Sequence, residues 1–546
     1  MVLTGIVAVT VGLPLASAFA TGAIDIPHND DWAYSRIALD LAESGELRLV
    51  GWNQMSLIGH LVWALPFLAL FGESLQVLHV AQAVAAAAGI VLSYLVVRRF
   101  LRTSLALVAT ALLAVFPGYA LLSTTYMTDT TAFAAQLACL WLGLIAVDRA
   151  RFADPLLVGS IGVGLFAYTI REAALAAPLA VLTGRLAAGG GPRARRHTVA
   201  LLLLVLSFAA AFFAWRHTLP GDESPWTLGS LPPYERVEPL VRAFFTSAFA
   251  ALPALLLTLR SGFARNVSIW SGVTGLGAAA LGAVTIVRGG PGPQTLFLGN
   301  SLTRVGAVAD TLFGRPVLFP AWAWGAMTLA ALAAGILLAM LLAASVERVL
   351  RTRPVRRAPA ISPRAVVGGA YAMLTVALLV VRSSSGGALL FDRYLWGIQL
   401  FLLVLLLSPV SAARRPQRWA ALACAAALAV ISLVIVLEEH TSSVARWSAG
   451  QASVAAGAPA RTVDAGFEWM GWHYDGVVGS FAGEPRWRRP ASWYNVLKFP
   501  DLANCTVMAY APRREPWLET VQVRSYRAFG LWGRRQVYVY RNRPAC

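Results

Sequence analysis

The stretch Ile24-Asp25-Ile26-Pro27-His28-Asn29-Asp30-Asp31-Trp32-Ala33-Tyr34 is a polar island in an apolar chain. It follows an uncharged run over 2–20. An amphipathic helix is expected after it, in which Ile37, Ala38, Leu39 and Leu41 are interrupted by Arg36, Asp40 and Glu43, with an end near Gly45. Asn29 or Asp30 suits the helix N-cap, and acids in a first turn are favoured by the helix dipole. That is the structural reading of the Asp30-Asp31 pair. The chemical reading rests on position. Two adjacent carboxylates lie between a membrane span and a second apolar segment, and adjacent side chains at a helix start point in different directions. One can face a cavity while the other caps or binds a partner, and a carboxylate so placed can take a proton from an acceptor hydroxyl.

Outward from this loop the chain is strongly apolar. Of 546 residues, 58% are hydrophobic and 13% charged, with a mean hydropathy of +0.63. Soluble domains carry about 25% charged residues. The deficit excludes a disordered chain and argues against an ordinary cytosolic enzyme. The net charge of +18 sits in short arginine clusters between long apolar runs, and Lys498 is the one lysine. No groove-sized basic patch forms, so no nucleic-acid partner is expected. Four cysteines without a CxxC exclude a zinc ribbon and a disulfide framework.

A helix needs about 20 apolar residues to cross roughly 30 Å of hydrocarbon. Thirteen spans are expected, at 2–20, 75–97, 104–116, 129–147, 155–170, 174–190, 199–215, 241–259, 266–287, 318–343, 365–381, 393–411 and 419–437. Leu57–Phe71, which contains His60 and Pro66, reads as an interfacial or re-entrant helix. With the N-terminus inside and the spans alternating, the inner loops hold 20 arginines against three acids, Asp148, Asp154 and Glu347. Cytoplasmic loops are expected to be basic, and one misplaced span would invert every later loop. The C-terminal segment is therefore placed outside. Ala16-Ser17-Ala18 resembles a signal-peptide cleavage site, but the basic n-region is missing, so the first span is expected to remain as an anchor.

Two parts follow: an all-α polytopic membrane domain over 1–437, with a catalytic first outer loop at 21–74, and a small extracytoplasmic α/β domain over 438–546. Thr441–Ala460 reads as a linker or a loosely packed helix. The alternation from Thr520 to Arg541 reads as strands, with a hairpin around Phe529-Gly530. Cys505 and Cys546 both fall on the oxidising side, where they are either bridged or two unpaired thiols. Trp469-Met470-Gly471-Trp472 reads as an aromatic patch that packs the tail onto the membrane part.

Further polar residues gather at the outer ends of spans. Asp129 follows Ser-Thr-Thr-Tyr-Met-Thr within the hydroxyl-rich run Ser123–Thr131, which also holds Tyr126; it is either a helix cap or a functional acid at membrane depth. Arg171-Glu172 interrupts the 155–190 region, and Phe391-Asp392-Arg393-Tyr394 opens another span, preceded by Arg382. Each arginine is either a snorkelling side chain or a phosphate ligand, for which a guanidinium fork is well suited. A transporter or flippase of a lipid-linked or small polar substrate is the alternative class, but transporters place charge near mid-span and in paired repeats, neither of which is visible here.

Together these residues resemble the GT-C superfamily of membrane glycosyltransferases, nearest to the dolichyl-phosphate-mannose protein mannosyltransferase and lipid A aminoarabinose transferase group. The motifs are Asp30-Asp31-Trp32-Ala33-Tyr34 with Ala42-Glu43-Ser44-Gly45 closing the helix, the interfacial segment ending Leu70-Phe71-Gly72, Tyr126-Met127-Thr128-Asp129, and Asp392-Arg393-Tyr394-Leu395. The match is good over 20–150, patchy to 437 and topological only for the tail. The resemblance implies an inverting glycosyltransferase at the outer face of the plasma (inner) membrane. The donor would be a polyprenyl-phosphate-linked sugar, and the acceptor a hydroxyl of an envelope glycan, lipid or protein. It implies Asp30 as catalytic base with Asp31 beside it. Asp129, Tyr126, Arg171, Arg382, Arg393 and Tyr34 would bind substrate, and no metal or cofactor is demanded by a monophosphate leaving group.

Overall fold

In the computed structural model, the described residues are 1–52, 57–149, 154–219, 227–228, 233–259, 268–288, 296–307, 312–351, 362–386, 390–410, 414–478, 492, 494–495, 498–528 and 533–546. The chain is a helical membrane protein with a small sheet near its C-terminus. Among the described residues eight helices are long and apolar enough to cross a bilayer: Val2–Thr21, Leu75–Val97, Thr128–Arg149, Pro192–Arg216, Ile269–Arg288, Ala321–Arg348, Pro363–Ser383 and Arg415–Ala455. A ninth is counted if the bent pair Arg236–Ala250 and Leu252–Thr258 is one span. That pair turns by 62° where Pro253 opens its second half, because proline lacks the N–H that would continue the ladder.

Among the described residues, each of the thirteen expected spans falls largely on helix, but several of these helices are short. Thr103–Ala114, Ala176–Ala187 and Trp396–Leu407 have 12 residues each and Pro155–Ile170 has 16. At 1.5 Å per residue, 12 residues rise only about 18 Å. By length and composition alone, eight or nine of the described helices are sufficient to cross, and the shorter apolar ones do not reach that length by themselves. The segment expected to be interfacial is the helix Ile58–Phe71, which packs on Leu75–Val97 and Pro155–Ile170. Helix starts follow side-chain chemistry: Ser74 accepts from Val77 N at 3.3 Å and Asp154 from Leu156 N at 2.9 Å, each satisfying a first-turn donor.

The C-terminal sheet has the order Val463–Asp464, Thr506–Ala509, Arg534–Asn542, Leu518–Arg527. Its first pairing is parallel and the others antiparallel. The expected strand pair is present, with a register shift between Thr520 and Gln522; the turn at Phe529-Gly530 lies outside the described residues. The last membrane helix runs unbroken from Arg415 to Ala455, through the expected boundary at 437/438 and most of the expected linker. It stays helical because Glu438, Glu439, His440, Ser442, Ser443 and Arg446 are buried on it and paired. Arg315 and Arg535 hold the two glutamates at 2.6 Å each, and Arg446 meets Glu468 at 2.8 Å.

One apolar cluster joins Trp447 and Ala449 of this helix to Val463, Trp469, Met508, Val537 and Val539 of the tail and to Ile26 of the first loop. The Trp469–Trp472 patch thus packs against the last helix and the first loop. Trp469 lies 4.8 Å from Trp447, and the neighbouring Phe467 lies 5.7 Å from Trp32. Cys505 and Cys546 are both free thiols.

Candidate active site

The helix Asp31–Ser44 starts at the polar loop and stops at Gly45, whose φ of 70° is the left-handed conformation that favours glycine. Asp30 is its N-cap by position, yet its side chain makes no capping hydrogen bond. Its Oδ1 accepts from Trp52 Nε1 at 2.9 Å and its Oδ2 from Asn29 Nδ2 at 3.4 Å, with Arg393 3.9 Å from Oδ2. The side chain keeps 18% of its surface exposed. Burial pushes its carboxyl above the ordinary range, and Asp129 and Glu468 add to this. Arg393 and the Trp52 N–H pull in the opposite direction without cancelling it.

Asp31 turns the other way. Its side chain has no exposed surface, and His79 Nε2 lies 2.7 Å from Oδ2. Ser35 Oγ donates to Oδ1, and the His28 backbone N–H donates to Oδ2 at 3.4 Å. Burial pushes this carboxyl up, but His79, Ser35 and His28 together pull it further down, so it ends below the ordinary range. The two adjacent carboxylates point in different directions, as expected at a helix start. One carboxylate faces Arg393, and the other is a buried strut tied to the helix Leu75–Val97 through His79.

Three arginines converge on the Asp30 side. Arg393 lies 3.4 Å from Asp129 Oδ1 and Arg171 is ion-paired to the same oxygen. Asp129 Oδ2 is buried without a hydrogen-bond partner. The guanidiniums of Arg382, Arg171 and Arg393 sit 4.9, 5.0 and 5.5 Å from the Tyr394 ring centre. Three guanidiniums thus share one small volume with two carboxylates, a balance that favours a further anion. The Arg393 turn is fixed from a distance: the Asp392 carboxylate accepts from the backbone N–H groups of Ser301 and Leu302, both at 2.9 Å. The Asp129 turn is fixed by Gln82, which donates to Met127 O and accepts from Thr131 at 3.0 Å.

The two expected tyrosines frame His60. Tyr126 donates its hydroxyl to His60 O at 3.0 Å and stacks on the imidazole at 4.0 Å. Tyr34 meets the same ring edge-on at 6.4 Å. Both tyrosines are buried. All eight expected residues lie in one region, but Asp31 and Tyr126 spend their polar atoms on the protein itself. Trp52, Asn300, Tyr394, His79 and Glu468 were not expected. Glu468 reaches in from the tail and accepts from Asn29 N at 3.0 Å, so the C-terminal part helps shape the loop that carries Asp30. A signal existed only for Tyr394, which adjoins Arg393; the others have no local pattern that marks them.

Residues 60–215 match the family described as "Dolichyl-phosphate-mannose-protein mannosyltransferase". No curated protein sequence matches the chain. Among solved structures, ArnT from Cupriavidus metallidurans in the apo state is 14% identical, with 98% of each chain covered and a TM-score of 0.37. The same protein bound to undecaprenyl phosphate gives 14%, 98% of each chain and 0.36. The Archaeoglobus fulgidus oligosaccharyltransferase in the apo form is 16% identical over 80% of this chain and 55% of that chain, with a TM-score of 0.40. The family match covers the segment that holds Tyr126, Asp129 and Arg171, and the chain resembles the GT-C superfamily of membrane glycosyltransferases.

Proposed function

We propose that the protein is an inverting glycosyltransferase that moves a sugar from a polyprenyl-phosphate donor to a hydroxyl of an envelope acceptor. The observation that carries this reading is the meeting of a partly exposed carboxylate, Asp30, with Arg393, and through Asp129 with Arg171, beside the ring of Tyr394. A general base and an anion site within a few ångströms suit attack on an anomeric carbon whose leaving group is a phosphate. The match to a family whose description names a dolichyl-phosphate sugar supports the same donor class.

Ionised Asp30 takes the proton of the acceptor hydroxyl as its oxygen attacks the anomeric carbon. The carbon–phosphate oxygen bond breaks on the opposite face, and the electron pair leaves with the lipid monophosphate. Arg393, Arg171 and Arg382 stabilise that charge as it develops. Asp129 holds two of these guanidiniums in place. A carboxyl pushed upward by burial is a stronger base than a solvated one, which is what proton removal from a hydroxyl requires. Asp31 positions the loop through His79 and takes no part in proton transfer.

The outer face of a plasma membrane is the expected side, since the arginine-rich loops assign the opposite face to the cytoplasm. The boundary between a membrane domain and a C-terminal domain belongs to this reading too, placed at the polar half of the last helix. The test uses proteoliposomes of the full chain with a sugar-labelled polyprenyl phosphate and an envelope extract as acceptor. Wild type should transfer label and Asp30→Asn should not, at equal folding. Label transfer by the Asn variant would remove Asp30 from the chemistry. Mass spectrometry of envelope glycans with and without the gene would identify the acceptor.

A further inference from the structure

A hollow beside Asp30 is left unused by the steps above. His28, Asn29, Thr125, Asn300 and Glu439 surround it together with Leu121, Leu122 and Met127, and it has room for about one water-sized group. Two of its residues touch the site: Asn29 donates to Asp30 Oδ2 at 3.4 Å, and Asn300 accepts from Arg393 at 3.2 Å. Both hold positive φ, 54° and 88°, a conformation that among the described non-glycine residues recurs only at Leu57. Asparagine tolerates that region better than most residues, but surrounding structure must hold it there.

Two of the polar residues around it keep an unsatisfied atom. Thr125 and His28 are each 3% exposed, and each keeps a buried atom, Oγ1 and Nδ1, without a hydrogen-bond partner. Buried polar atoms are nearly always paired, so each calls for an outside partner. His28 Nε2 lies 3.0 Å from Ala23 O, and a carbonyl only accepts, so Nε2 carries a proton. Nδ1 faces Glu439 Oε1 at 4.0 Å, beyond direct hydrogen-bond range. Glu439 is held for this by Arg315 at 2.6 Å and Ser443 at 2.8 Å. Burial disfavours a charge on His28, but Glu439, the Ala23 carbonyl and Asp31 together more than offset it, so the imidazole is raised above its ordinary value. One hydroxyl then completes the pair. It accepts from Nδ1–H and donates to Oε1, at about 2.8 Å from each.

We propose that this hollow is a hydroxyl-reading subsite: a single hydroxyl of a glycosyl ring enters it, held by His28, Glu439 and Thr125, and sets which sugar is accepted. The proposal rests on the transferase reading above and adds its specificity determinant. The ring belongs either to the donor or to a sugar acceptor.

The full chain in nanodiscs is titrated with undecaprenyl phosphate, with undecaprenyl-phosphate mannose, and with the monodeoxy derivatives of that sugar. A second arm uses methyl mannoside and its monodeoxy forms without lipid. One deoxy position should weaken binding by roughly tenfold or more, because it leaves the buried wall unpaired. That penalty should vanish in Glu439→Gln and in Thr125→Val; the second variant keeps the test valid if release of Arg315 unfolds the first. A penalty in the first arm assigns the hydroxyl to the donor, and one confined to the second assigns it to the acceptor. A flat deoxy series, a penalty unchanged in both variants, or an equal loss for every ligand including bare lipid phosphate overturns the subsite and leaves the transferase reading intact. Failure of wild type to bind any lipid phosphate overturns both.

Discussion

Asp30 and Asp31 are neighbours in sequence, and their environments could hardly differ more. Asp30 keeps part of its surface open and sits 3.9 Å from a guanidinium that it shares with Asp129. Asp31 is sealed against His79 and Ser35. The signs of their energetics are opposite as well. Asp30 is raised, so its ionisation opposes folding as pH climbs above the value it has in the unfolded chain. Asp31 is lowered, so it stabilises the fold above its unfolded value, and that contribution is lost as pH falls through its depressed folded value. A raised carboxylate beside a cluster of arginines is consistent with the base proposed above. A depressed one that is fully paired marks a structural strut. The pair is thus one motif in sequence and two devices in space.

The largest expected effect tests that split directly. Asp30→Asn should lower transfer by roughly 10²–10⁴-fold, the usual contribution of a positioned base, with no loss of melting temperature in detergent. Asp31→Asn should do the reverse, costing on the order of 2 kcal/mol of stability for its charged hydrogen bonds while the folded fraction keeps its turnover. A well-folded but inactive Asp31→Asn would restore the paired-carboxylate reading. Between these extremes lies Arg393→Lys. The charge stays but the planar fork is lost, and transfer should drop on the order of 10²-fold. Wild-type turnover with lysine at 393 would mean that a point charge suffices.

The membrane part was legible because a bilayer crossing writes a long apolar run into the chain. Its count was less so, since Thr103–Ala114 and Trp396–Leu407 are too short to decide alone whether they cross. The acids and arginines of the site were legible one by one as polar residues at apolar borders. Their roles were not. Successive helical positions diverge by about 100°, which told us that Asp30 and Asp31 part company but not which one meets His79. Asn300 and Glu468 act on the site from up to 439 residues away, and, as with Trp52, nothing in their own neighbourhoods encodes that. Glu438-Glu439-His440, a polar triplet ending an apolar run, was the one signal that could have found the hollow.

The acid side of the pH profile sharpens the same contrast. If Asp30 is the base proposed above, the rate should fall as pH drops through its raised value, while Asp31 still holds the fold. A window should exist in which the protein is folded and inactive, seen as an activity midpoint at higher pH than the acid melting midpoint. Coincident midpoints would place the loss in unfolding instead.

Trp52→Phe gives the finest adjustment. The indole ring packs on Phe467 at 5.1 Å, and phenylalanine keeps most of that contact while removing only the N–H donated to Asp30. That hydrogen bond favours the charged carboxylate. Its loss should move the acid limb to higher pH and cut transfer by less than about tenfold at neutral pH, the scale of one hydrogen bond to a partly solvated charge. At alkaline pH, where Asp30 is ionised in either protein, the two rates should converge. Rates that stay apart at every pH would mean that Trp52 positions the loop and does not tune the base; an unshifted limb with equal rates would mean that Asp30 is not the group being titrated.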